Sequence, residues 1–452
     1  MWRPAARVLV STLAVAFVGW AQTAIVAEDI PQGASKPFDF PKSRKLLERY
    51  LRESNIAMMR LHAWHLFAGL TGTALSGLPR FRTWYSLHEV GVPDGERHVQ
   101  YDFLERAREF QSVIEDFQNR PEWKNLGEAL RQQARDAVPL SSIYFNPVAF
   151  GHVRREIVTQ GKATRLCNRA DIDALTAQFE SSTPRPQWEQ WKVADFPNSA
   201  VVAKAVWWVV TKNERTVLPV WDPPPGNLIT PGDNPKTKWS RVVLVDPELS
   251  PTEIKKGDTD CRTFAGVNRC GPVVSLHSFY WLRLNSQSMV DAVIRNDVFS
   301  GGNTPALNDF LVLTGLHFTT KEIPNWVWAT AWWHPEPNRG PFGRDRPNRI
   351  KEPWTNYLMN VSYDMTLPDS SHNGSPHACF NPYLEGERGG GTFSNCMTCH
   401  RLAAVPDAKQ ETLIGQVDDG DLRLQHKVKV DFLWSLAREN GNTCRGAATP
   451  LQ

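Results

Sequence analysis

The run Asp309-Phe-Leu-Val-Leu-Thr-Gly-Leu-His-Phe-Thr319 and, after a five-residue connection, the run Asn325-Trp-Val-Trp-Ala-Thr-Ala-Trp-Trp333 decide how this chain folds. Both are dense in β-branched and aromatic residues and both have the length of a strand. Strict alternation places Leu311, Leu313 and His317 on one face of the first run and Phe310, Val312, Leu316 and Phe318 on the other. With both faces partly apolar, the run reads as a central strand of a sheet. In the second run the same alternation gathers Trp326, Trp328 and Trp332 on one side. A tryptophan row on a strand belongs first to core packing; an aromatic pocket or an electron path is the sharper alternative.

The texture extends upstream. Short β-rich runs recur at Val201 to Val210, Thr216 to Trp221, Ser240 to Val245 and Ser278 to Leu284, separated by turn chemistry such as Asp222-Pro-Pro-Pro-Gly226. Before residue 196 the period changes. Leu46, Leu47, Tyr50, Leu51, Ile56, Met59, Leu61 and Trp64 recur every three to four residues, which predicts an amphipathic helix from Ser43 to about Leu70. Helical patterns follow at Asp102 to Phe117 and, behind Pro121, at Trp123 to Ala137. After Pro335 periodicity is lost through Asn348. The last hundred residues are loop-rich, with helical pieces at about Asn395 to Ala404 and Val430 to Glu439. The class is therefore α+β: a helical N-terminal region (28–195), a central β-rich domain of sandwich or barrel type (196–345), and a loop-rich C-terminal region packed on it (346–452).

Composition narrows the function. The 452 residues carry 51 Lys plus Arg against 48 Asp plus Glu, so the formal charge of +3 supplies no field for steering nucleic acid. Met1-Trp-Arg-Pro-Ala-Ala-Arg7, an apolar run from Val8 to Trp20, and the small residues Ala21, Ala24 and Ala27 have the three-part layout of a secretory signal peptide over residues 1–27. The apolar run is short for a membrane span, and no other stretch approaches that length. An exported, periplasmic protein without a span after signal removal is expected, in a compartment where disulfides persist.

The chemistry lies in Cys396-Met-Thr-Cys399-His400, a C-x-x-C-H motif. Two thiols one helical turn apart can each add to one of the two vinyl groups of haem, and the next residue then aims an imidazole at the iron. A zinc site would need two further ligands, and His377 with Cys379 comes without a second C-x-x-C. A thioredoxin-like dithiol would need the rest of a βαβ fold, for which about fifty residues leave too little chain. One covalently bound haem c is expected, with Cys396 and Cys399 as attachment points and His400 as the proximal iron ligand, making 346–452 a haem-binding region.

These three residues resemble those of mono-haem c-type cytochromes. The wider context, including Leu313-Thr-Gly-Leu-His317, Asn325-Trp-Val-Trp-Ala-Thr330 and Ser394-Asn-Cys-Met-Thr-Cys-His400, is similar to a group of large bacterial cytochrome-c-like proteins. The family's usual methionine ligand downstream of the motif is missing, because no methionine follows Met397. A sixth ligand must then come from upstream, from His426, or from a lysine or asparagine. Met365 and His317 are the candidates, with Met359, His334, His372, His377 and His426 behind them, and an open site as the alternative.

Among the other cysteines, Cys261 and Cys270 bracket a short loop and are expected to form a disulfide. Cys379 and Cys444 could staple the haem region. His62 and His65 share one helix face, a spacing that suits a metal pair, but without a nearby acidic or cysteine partner in the sequence packing and capping are the roles expected. Two functional readings remain: electron transfer with a redox protein partner in the periplasm, alone or within a larger oxidoreductase, or a haem enzyme or sensor with an open iron position.

Overall fold

The computed structural model describes residues 27–31, 39–74, 77–91, 143–159, 161–182, 187–222, 236, 239–250, 258–285, 287–295, 304–338, 340–364, 379–385, 396–406 and 417–437. The expected signal peptide falls outside the described residues except for Ala27. The helices expected at 102–117 and 123–137 also lie outside them.

In chain order the strands are β1 (Tyr85–Ser86), β2 (Ile143–Phe145), β3 (Ile157–Thr159), β4 (Lys162–Thr164), β5 (Val201–Val210), β6 (Thr216–Val220), β7 (Arg241–Asp246), β8 (Thr259–Phe264), β9 (Val267–Ser275), β10 (Trp281–Arg283), β11 (Phe310–Thr320), β12 (Val327–Trp333), β13 (Tyr357–Ser362), β14 (Ala404–Val405) and β15 (Val428–Lys429). The helices are α1 (Arg44–Arg52), α2 (Ile56–Thr71), α3 (Leu87–Gly91), α4 (Pro147–Arg154), α5 (Arg169–Ser181), α6 (Gln287–Arg295), α7 (Pro382–Glu385), α8 (Cys396–Arg401) and α9 (Trp434–Ala437). The protein is of the α+β class, as its sequence implies.

The expected helix from Ser43 to Leu70 is two helices. Ser54 turns the chain with a φ of +49°, and the Asn55 side chain then accepts the Met58 amide to cap α2. Hydrophobic periodicity carries no mark of this break, because apolar residues run on through it: α1 keeps one apolar face, whereas α2 is apolar on nearly all sides and buries most of them.

The main sheet has the order β1-β2-β5-β11-β12-β13, with β10 also paired to β11, and every pairing is antiparallel. It draws strands from all three sequence segments: β1 and β2 come from 28–195 and β13 from 346–452. The long strand β11 is central, as expected, with β5 on one side and β10 then β12 on the other.

One expectation about β11 is corrected. A register shift between Leu313 and Gly315 sets Leu313 opposite Trp207 but His317 opposite Lys204. Trp207 and Lys204 are three residues apart on β5, so their side chains leave opposite faces. Leu313 and His317 therefore do not share a face. The bulged residue, Thr314, donates its hydroxyl to the Val206 carbonyl.

The two faces are covered differently. Against one lies α2, whose Phe67 meets Phe318, Tyr357 and Trp354 with ring centres 5.8–6.4 Å apart. Arg60 of the same helix donates to the carbonyls of Met359, Phe342 and Arg344 and pairs with Asp345. The other face carries Trp208, His317, Trp328 and Trp332. A smaller sheet, β6-β7-β9-β8, packs on part of it: Trp208 meets Phe264, and Trp221 meets Trp332. The rest of that face receives α8. Cys261 and Cys270 sit directly opposite each other on β8 and β9 and form the expected disulfide.

Candidate haem-attachment site

Helix α8 is a single turn that bears Cys396, Cys399 and His400. The chain then folds back: β14 pairs with β15, and the Val430 amide donates to the Ala403 carbonyl. Past β15, Asp431 and Phe432 adopt φ values of +48° and +70° in succession, a left-handed conformation that side-chain-bearing residues adopt at a cost. The turn brings the Phe432 carbonyl to 2.7 Å from His400 Nδ1, and the Trp434 indole donates to the Cys399 carbonyl. A carbonyl oxygen only accepts, so His400 Nδ1 carries a proton, which leaves Nε2 as the nitrogen that a metal would take from the neutral imidazole. This is the tautomer a metal-binding imidazole requires.

A buried ion pair holds the turn. Lys321, in the connection between β11 and β12, donates to the Asp431 carboxylate at 2.5 Å and to the Pro324 carbonyl. The second carboxylate oxygen of Asp431 accepts the Phe196 amide. Both side chains of the pair are about 5% exposed. Arg401 lies over the Phe432 ring and donates to Asn325.

His317 faces the motif from the sheet. Its ring centre is 6.0 Å from that of His400, with the planes 29° apart, and its Nδ1 is 4.0 Å from Cys396 Sγ. The ring is buried, and Nε2 has no hydrogen-bond partner. Burial first, then the neighbouring His400 and Lys204, hold its pKa well below the ordinary histidine value, so the imidazole is neutral. Trp328 completes the cluster, 4.3 Å from the His400 ring and 5.7 Å from that of His317. Cys396 Sγ donates to the Cys379 carbonyl at 3.1 Å and lies 3.7 Å from Cys379 Sγ.

The structure thus brings Cys396, His400 and His317 together. Met365 lies outside the described residues, as do His372 and His377. Met359 is buried on β13 beside Asn360, and Asn360 aligns through Thr330 with His317. Met359 therefore projects from the opposite face of the sheet, away from His400. Both nitrogens of His334 are engaged, Nδ1 by the Glu336 amide and Nε2 by Asp222. His426 packs against Trp191. His62 is bonded to Glu322, an acidic partner its sequence neighbours do not reveal.

The staple between Cys379 and Cys444 is not formed: Cys379 is a buried thiol, while Cys167 is engaged in a disulfide. Contacts the sequence did not disclose are Trp328 on His400, Cys379 beside Cys396, and the Lys321–Asp431 pair. Only Trp328 had a readable trace, in the tryptophan row.

The residues fit a covalently held haem. Two thiols stand on one helical turn, one imidazole has its tautomer set by a carbonyl, and a second neutral imidazole has an unsatisfied nitrogen within the same cluster. Comparison of the chain with protein-family models, curated proteins and solved structures finds no match.

Proposed function

We propose that this chain is an exported c-type cytochrome whose one haem would be held covalently by Cys396 and Cys399, with His400 and His317 as the residues that would bind its iron. The observation that carries this reading is the orphaned Nε2 of His317, buried on a strand and facing the motif histidine. A buried imidazole nitrogen without a partner is costly unless something binds it.

Haem, when bound, supplies a one-electron couple at its iron. The chain's own groups then set the conditions. The Phe432 carbonyl accepts the His400 proton and makes that imidazole a stronger donor. His317 stays neutral through burial and so keeps a lone pair available. Trp328 packs on one side of the partly exposed His400, and the burial of His317 limits water on its side, which bears on potential. The two histidines face each other among apolar and thiol groups of the described residues, an arrangement that supports electron transfer to a periplasmic redox partner, alone or within a larger oxidoreductase. Among the described residues no helix is long and apolar enough to cross a membrane.

Visible spectra of the full chain, matured in a host that attaches haem, test the reading in oxidised, reduced and carbon-monoxide-treated states. A low-spin spectrum unmoved by carbon monoxide is expected. A high-spin iron that binds carbon monoxide would leave His317 unligated and favour an enzyme or sensor, and absence of a Soret band would remove the haem altogether.

A further inference from the structure

Arg82 lies in the short turn Arg80–Thr83 that leads from α2 towards β1, and it is among the most deeply buried side chains of the protein, 1% exposed. A guanidinium offers five N–H donors and is never neutral. Here one nitrogen, Nη1, donates to the Tyr144 hydroxyl at 2.5 Å. Nε and Nη2 are buried with no acceptor in hydrogen-bond geometry; the Tyr280 hydroxyl, itself buried, is the one further polar group that acts on the guanidinium, and no carboxylate among the described residues pairs with it.

A second donor shares its surroundings. The guanidinium carbon lies 5.7 Å from the Trp207 ring centre and 5.8 Å from that of Tyr144. The Trp207 indole Nε1 is likewise buried without an acceptor. Tyr280 stands 6.0 Å from Trp207, and Phe81 closes the group against Tyr144 and Tyr280. Aromatic faces attract a cation but accept no N–H bonds in the plane of the guanidinium. Arginine is almost never fully buried without a counter-charge, because nothing else replaces the water it has lost.

We propose that Arg82, Trp207 and Tyr144 form a binding site for a small oxyanion, a carboxylate or an inorganic phosphate-type anion. The planar fork of Arg82 suits two oxygens of such a group, and the Trp207 N–H supplies a further donor. The site belongs to the face of the sheet opposite His317, since Trp207 and Lys204 project from opposite sides of β5. It stands independently of the haem reading.

The test is equilibrium dialysis of the full chain against labelled acetate and, separately, labelled phosphate, paired with thermal melting in each anion. Saturable one-to-one binding of either probe, with a rise in melting temperature, is expected; acetate alone would assign a carboxylate ligand and phosphate alone an inorganic one. Arg82→Lys and Trp207→Phe should each weaken binding about tenfold or more, the scale of one lost charge-assisted hydrogen bond. Arg82→Met should lose the anion response while still folding, because an apolar isostere removes the unpaired charge. If neither anion binds at millimolar concentration, or if the Arg82 and Trp207 variants bind as the parent does, the site does not exist. Should Arg82→Met fail to fold, Arg82→Lys and Trp207→Phe decide the matter.

Discussion

His400 Nδ1 donates a 2.7 Å hydrogen bond to the carbonyl oxygen of Phe432, thirty-two residues further along the chain. The bond exists because Asp431 and Phe432 take consecutive left-handed backbone conformations, and those are held by a lysine from the central sheet. The motif helix itself, one turn long, could not orient its histidine alone. Orientation is supplied by the Lys321–Asp431 pair, which anchors the C-terminal return to the connection after β11.

Replacing Cys396 or Cys399 by alanine should cut the covalent haem yield, leaving one thioether at most, while the double variant should retain none. Haem-stained denaturing gels measure this directly. Undiminished staining in the double variant would sink the attachment assignment.

His317→Ala should convert a low-spin iron to a high-spin one that takes up carbon monoxide, and imidazole added to the solution should restore the low-spin spectrum. His317→Met should keep the iron low-spin and raise its potential, since methionine–histidine ligation raises the potential of a c-type haem. Spectra of either variant identical to the parent would assign the sixth position elsewhere, with Met365 next in line.

Asp431→Ala leaves buried Lys321 with only the exposed Asp195 carboxylate, 3.8 Å away, as counter-charge, and the Phe196 amide without its acceptor. Removing one partner of a buried pair costs about 3–5 kcal/mol, and the Phe432 carbonyl should lose its fixed position. Urea unfolding and the haem potential are the two measurements. A loss below about 1 kcal/mol with an unshifted potential would show that the pair neither stabilises nor positions.

Stability should depend on pH through groups of opposite sign. Burial depresses His152 and His65 to about 4. The unfolded chain protonates such residues near 6.5, so their contribution is complete above 6.5 and is lost as pH falls to 4. Each histidine can account for at most about 1.4 kcal/mol per pH unit in that window, less for His65, which is half-buried. Asp29 behaves oppositely: burial, partly offset by its bond from Asn146 and by Arg80, raises it to about 6, so it favours the folded state below 3.8 and ceases to as pH rises to 6.

Asp29→Asn should therefore melt higher than the parent at pH 7, an advantage that vanishes near pH 4. His152→Gln should flatten the decline between pH 6.5 and 4. Melting curves across this range check both, and parallel pH profiles for all three proteins would contradict the assignment.

Local pattern was enough to read the α+β class, most strands of the main sheet, the Cys261–Cys270 bridge and the helical turn that bears Cys396 and Cys399. Each depends on residues near one another in the chain: period-two alternation over Val201–Val210 and Phe310–Thr320, or thiols spaced by one helical turn. The break at Ser54 and the bulge at Thr314 left no comparable trace. Both depend on a backbone choice that composition permits but does not require, and the bulge moved Leu313 to the face opposite His317.

By itself, then, the sequence determined that two thiols and an imidazole stand together at positions 396, 399 and 400, and that a histidine-bearing strand lies at the centre of a sheet. Only the tertiary structure decided that His317 faces His400 and that a carbonyl from Phe432 fixes the histidine tautomer. It also decided that Arg82 and Trp207, buried side by side behind the same sheet, each keep a donor without a partner. Side-chain type is written locally, but the direction a side chain faces, and whether burial leaves it a partner, follow from strand register and from chain segments brought together across tens to hundreds of residues.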